Sequence, residues 1–162
     1  MGVVTDIVAT YRQPRKVMRR LLDMGRREDR ALALVMAACA IVFIAQWPVL
    51  VRRAHMQKED LNLLLGAALL GWVILAPLLL YGLSSLSHMI GLLLGRKGSP
   101  FAARLALFWS LLASSPLILL NGLVGGFIGK GFAQQSVGAI WLSVFAWFWL
   151  SCMSCAEGEQ DL

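Results

Sequence analysis

Two uncharged apolar runs, residues 61–95 and 105–128, follow each other with only a basic connection between them, which opens Gly95-Arg96-Lys97-Gly98-Ser99-Pro100. A helix that crosses a bilayer needs ~20 predominantly apolar residues, and both runs exceed that. Soluble folds rarely place two such runs so close together, so the pair directs the chain into a membrane. A hydrophobic fraction of 59% over 162 residues agrees, and the length fits one domain. The expected fold class is all-α: a polytopic membrane protein with four transmembrane helices and an N-terminal amphipathic interfacial helix. The spans are expected at about 31–51, 61–94, 101–128 and 137–155, between a basic segment (1–30) and an acidic tail (156–162).

The basic segment reads as two amphipathic pieces. Val4, Ile7, Val8 and Tyr11 recur at helical spacing, and Pro14 opens a second piece at a favourable first-turn position. In that piece Val17, Met18, Leu21 and Leu22 oppose Arg15, Lys16, Arg19 and Arg20. An apolar stripe under a cationic face suits a helix lying on anionic headgroups, with Arg15, Lys16, Arg19 and Arg20 binding the phosphates. The same stripe would also serve to pack the segment on its own domain, and the two roles are compatible. No apolar stretch precedes residue 31, so the first span is expected to act as an uncleaved signal anchor.

The second run would be ~51 Å long if wholly helical, against ~30 Å of hydrocarbon. It reads as one tilted or kinked helix, with Pro77 as the expected kink. Gly95 is expected to close it, and Ser99-Pro100 to open the next helix as N-cap and first-turn proline. That next helix carries Pro116 and a polar face of Ser110, Ser114 and Asn121. Near its end Gly122 precedes Gly126 by four residues, and Gly125 precedes Gly129 by four. Small residues at this spacing let helix backbones approach closely, so these four glycines are the helix-packing candidates.

Charge sets the orientation. The side holding both termini and the 95–104 connection carries eleven Lys and Arg, the other side four. The excess belongs in the cytoplasm, so both termini are expected there. A basic balance can also mean nucleic acid, but eight of the fifteen Lys and Arg lie in the first 30 residues, flanking a span. That is the footprint of topology and anionic lipid, and no nucleic-acid partner is expected.

Chemistry-bearing patterns are weak. Cys152 and Cys155 form a single CxxC, which needs partners or a redox context to act. A tetrahedral metal site wants four ligands, and Cys39, His55 and His88 fall on other spans or the opposite side. His88 beside serines suggests a hydrolase, but no GxSxG elbow accompanies it. Ion-coupled transport usually needs intramembrane ionisable groups. The four expected spans hold no Asp, Glu or Lys, and Arg104 sits at an end. No catalytic residue, metal or cofactor is therefore expected.

From His88 through Gly95-Arg96-Lys97-Gly98-Ser99-Pro100-Phe101 to Pro116, the chain resembles the Yip-domain family in its bacterial branch. These are small polytopic proteins named for Rab/Ypt-GTPase interaction. Bacterial members place a histidine before a Gly-Gly-Lys-Gly-Ser-Phe-like turn and a proline midway along the following span. His88, Gly95, Lys97, Gly98, Ser99, Phe101 and Pro116 match, while Arg96 and Pro100 depart. The Gln13-Pro14-Arg15 opening is also similar. Eukaryotic members have five spans and an Asp-Leu-Tyr-Gly-Pro element; here four spans are read and the element is absent, so Rab binding is not carried over. The resemblance implies a non-enzymatic scaffold, organiser or accessory subunit of the bacterial cytoplasmic membrane, with His88 packed beneath a structural turn. Its partners would be anionic lipids and a membrane protein or a second copy. The alternatives are a small solute transporter or channel subunit, and an enzyme using Cys152 and Cys155.

Overall fold

Inside hydrocarbon every backbone N–H and C=O must be satisfied within the chain, which leaves helices as the fold for such runs. A computed structural model describes residues 2–93 and 98–158, with side chains to Cys155, and its regular elements are all helical. The order is α1 (Val3–Thr10), α2 (Pro14–Asp23), α3 (Glu28–Gln57), α4 (Leu61–Leu69), a π-helical turn (Leu70–Leu75), α5 (Ala76–Leu93), α6 (Pro100–Ala113), α7 (Ser115–Phe127) and α8 (Phe132–Gly158). Three bodies are long and apolar enough to cross a membrane: α3, the continuous rod Leu61–Leu93, and α8. The pair α6–α7, bent by 45°, reaches the same length and apolarity only when taken together, as a broken span or a re-entrant loop. Gly95, Lys97 and the end of the acidic tail lie outside the described residues.

Several boundaries differ from the sequence reading. Residues 52–57, expected in a loop, add turns to α3, because nothing in Arg52–Gln57 breaks a helix. Arg53 Nε donates to Gln57 Oε1 at 3.1 Å, one turn on. The helix ends only at Lys58, which turns left-handed at φ 54°, and Asp60 caps α4 by accepting from the Asn62 N–H at 2.9 Å. Similarly, α8 begins at Phe132, five residues before the expected start.

Pro77 acts one turn earlier than its own position. Having no N–H, it offers nothing to the carbonyl of Val73, and its ring crowds that carbonyl. The preceding turn opens to π geometry, and the Ala76 N–H reaches back to Gly71 O. Pro116 has the larger effect. It withholds a donor from Leu112 O, Ser114 leaves the helix at φ −82°, ψ −1°, and the expected third span becomes the bent pair α6–α7.

The centre of the fold is α6. Ser99 caps it, accepting from the Ala102 N–H at 3.1 Å, and Pro100 takes the first turn as expected. Phe101 to Ala103 and Leu105 to Ala113 are all buried. Around it stand α3, α5, α8 and α1. Ala102, Ala103, Ala106, Ser110 and Ala113 keep the rod thin enough for neighbours on every side. Tyr81 of α5 meets Phe108 edge-on, with centroids 4.9 Å apart. At the mouth Arg104 Nη2 donates to Glu28 Oε1 at 2.5 Å, tying the start of α6 to the start of α3. Leu63, Leu70, Ile74, Leu78, Leu79 and Leu93 of the α4–α5 rod face outward, a surface suited to acyl chains.

The glycines of α7 lie on α3. A Cβ on Gly122 would stand 1.8 Å from Ala45 O, and one on Gly126 would stand 2.3 Å from Pro48 Cβ. Gly125 faces Val49 and Gln134. Gly129 has φ +98° and lies under the Arg52 guanidinium. Arg52 Nη1 donates to Gly126 O at 3.2 Å and Phe127 O at 2.9 Å, so a cation caps the negative end of α7. We expect Arg52→Met to lower stability by about 1–3 kcal/mol. Unfolding in mild detergent measures it, and an unchanged midpoint would remove this capping role.

Candidate functional site

The candidate site grows from the N-terminal hairpin α1–α2 and the way it is locked onto the bundle. Thr10, at the end of α1, is fully buried. Its Oγ1 donates to Asp6 O at 2.7 Å and accepts from Trp109 Nε1 at 3.1 Å, so one hydroxyl serves both its own helix and the central one. Tyr11 packs edge-on against Phe148 of α8, with centroids 5.0 Å apart, and partial burial lifts its phenol pKa above the ordinary 10. Gln13 N–H bonds to Ala9 O at 2.8 Å across the joint, and Pro14 then starts α2. Cys155 Sγ lies 3.5 Å from Arg15 O, holding the end of α8 beside the start of α2. An ion pair between Asp6 and Arg20 clasps the two short helices together.

The stripe on α2 has its home in the protein. Val17, Met18 and Leu21 are buried and Leu22 packs against the same core. Packing on the chain's own domain, one of the two compatible roles open to this stripe in the sequence, is realised. What α2 turns outward is charge. Arg12, Arg15, Lys16 and Arg19 are exposed and form one wall of a groove of about 640 Å³. Trp147 and Ser151 of α8 form the other. No carboxylate lines it among the described residues.

Of the four expected headgroup ligands, Arg15, Lys16 and Arg19 share this groove. Arg20 pairs with Asp6 and lines only a second depression, between α1 and α2, which Lys16, Arg19 and Asp23 also line. Arg12, Trp147 and Ser151 were not singled out from the sequence. Arg12, Arg15, Lys16 and Arg19 do repeat at i, i+3, i+4, i+7, but Pro14 falls inside the pattern and places Arg12 in the joint. Trp147 and Ser151 share a face of α8 by their spacing of four, and only packing decides that this face meets α2. Thr10 carried no signal at all.

The turn residues play structural parts. Ser99 is a cap, Phe101 is buried at the start of α6, and His88 is half-buried on α5. The serines near His88 differ in setting: Ser84 is buried, Ser85 exposed, and each hydroxyl donates to Tyr81 O. Ser114 accepts from Trp141 Nε1 at 3.1 Å. Cys39, Cys152 and Cys155 are free and buried. We therefore expect a maleimide to leave all three unlabelled in the folded protein and to label all three in denaturing detergent. Rapid labelling of Cys152 before unfolding would contradict its burial.

Fold and site together define a multi-pass helical membrane protein with a basic hairpin locked onto one end of its bundle. Compared with known proteins, the chain matches no family model, no curated protein and no solved structure.

Proposed function

We propose that this protein is a non-enzymatic membrane organiser or accessory subunit. It acts through helix–helix contacts and through anionic lipid held at its N-terminal hairpin. The observation that carries this reading is the division of labour in α2: Val17, Met18 and Leu21 are inside the fold, while Arg15, Lys16 and Arg19 face out. A helix bolted down on its apolar side cannot leave the bundle to sink into the bilayer, so its cations form a fixed platform for headgroups. The excess of Lys and Arg on the side of both termini supports a cytoplasmic setting for the platform, where the anionic leaflet lies. The Yip-like residues His88, Gly98, Ser99, Phe101 and Pro116 are compatible with this reading, and the inner membrane of a bacterium is the setting they suggest.

The test is isolation of the tagged protein from native membranes in mild detergent, with protein and lipid mass spectrometry. A partner at fixed stoichiometry, or a defined self-assembly, together with enriched anionic lipid is the expected result. Solute flux through proteoliposomes of the pure protein, reduced by His88→Ala, would replace the organiser with a transporter.

A further inference from the structure

The groove between α2 and α8 has more order than a charged surface needs. Arg12, Arg15, Lys16 and Arg19 converge on one cleft of about 640 Å³, a volume typical of small-molecule sites. Across the cleft stands an indole, not another charge: Trp147 is 51% exposed. Ser151, one turn on, adds a hydroxyl to the same wall.

From this wall an exposed stripe continues along α8 away from the groove. Trp147, Ser143 and Ile140 follow one another at helical spacing, and all three are exposed. A cationic cleft that opens onto an apolar track, with a tryptophan at the junction, matches a phospholipid: phosphate at one end, acyl chain at the other. Free phosphate would use only the first half.

Charge narrows the class. Four cations line the groove with no carboxylate among the described residues. Asp23, in the adjoining depression that Arg12, Lys16 and Arg19 also line, still leaves these cations with more positive charge than a headgroup of one negative charge balances. Two negative charges compensate them better, and two guanidinium forks suit two phosphate-type groups. Resting on the headgroup-platform reading above, we infer that this groove is a discrete site for one phospholipid whose headgroup carries two negative charges, with its acyl portion running from Trp147 towards Ile140.

The experiment uses the full-length protein in mild detergent, with bound lipid counted by native mass spectrometry. Diphosphatidylglycerol, phosphatidic acid, phosphatidylglycerol and inorganic phosphate are titrated in turn. Arg15→Gln/Arg19→Gln removes two groove cations. Arg26→Gln/Arg27→Gln removes two exposed cations from the segment joining α2 to α3, outside the groove. Equal thermal midpoints establish that both variants fold.

We expect one dianionic lipid per chain, held at least about tenfold more tightly than phosphatidylglycerol. The groove variant should lose about thirtyfold in affinity, and the Arg26/Arg27 variant less than about threefold. Equal losses in the two variants would overturn the discrete site while leaving the headgroup platform standing. Retention of no anionic lipid by the unaltered protein would overturn the platform as well. Full displacement of the lipid by inorganic phosphate at its own binding concentration would overturn the lipid assignment. Lipid binding that appears only in Glu157→Gln/Glu159→Gln would overturn the lipid assignment.

Discussion

Gly122→Leu is expected to cost the fold about 3 kcal/mol or more and to separate α7 from α3. The added Cβ alone would lie 1.8 Å from Ala45 O and 2.7 Å from Ala45 C. Those are backbone atoms of a packed helix and cannot rotate aside, so the whole α3–α7 contact must open. Gly126→Leu should behave alike, since its neighbour is the rigid ring of Pro48 at 2.3 Å. Gly66→Ala and Gly82→Ala are the controls. Each has nothing within 4 Å of the added carbon, and alanine is the better helix former. Both should stay within about 1 kcal/mol of the parent, on the stabilising side. Unfolding in mild detergent reads all four, and a Gly122→Leu midpoint equal to that of Gly66→Ala would refute the close approach.

The second large effect is expected at Trp109. Trp109→Ala removes one of the largest fully buried side chains and leaves the Thr10 hydroxyl without its donor. Losses of about 3–5 kcal/mol follow such truncations. Because Thr10 is the tie between α1 and α6, the hairpin should also loosen, and trypsin should cut at Arg12 and Arg15 far faster than in the parent. Trp109→Phe keeps most of the volume and should cost about 1 kcal/mol through the lost hydrogen bond. Trp47 is 46% exposed, and Trp47→Ala should change little. If Trp109→Ala leaves both the midpoint and the cleavage rate unchanged, α1 is not held as described.

How far the site was legible depended on the range of each interaction. Pro14, Ser99 and Pro100 act on backbone groups within one turn, so their roles could be read from neighbours in the chain. The cations Arg15, Lys16 and Arg19 were legible because a two-sided helix separates charge from apolar residues whatever it packs against. Arg20 was not separable from them, because its partner Asp6 lies in another helix. Trp147 and Ser151 meet α2 across more than a hundred residues of chain, and no local pattern encodes that meeting.

By itself the sequence determined the solvent and the element type. Runs of ~20 or more apolar residues without charge have few stable homes other than a bilayer, and there the backbone must close its hydrogen bonds as helix. It also determined the excess of cations at one end, which is a matter of counting. Tertiary structure alone decided which apolar surface is inside. The spans are all strongly apolar, so mean hydropathy cannot distinguish α6, which is buried, from the α4–α5 rod, whose leucines face out. Size and shape made that choice: alanine and serine let α6 be surrounded, and Gly122 and Gly126 let α7 touch the backbone of α3. The stripe of α2 was settled in the same way. It would have been at home in lipid or protein, and Met18 lies in the core because α2 packs against α8.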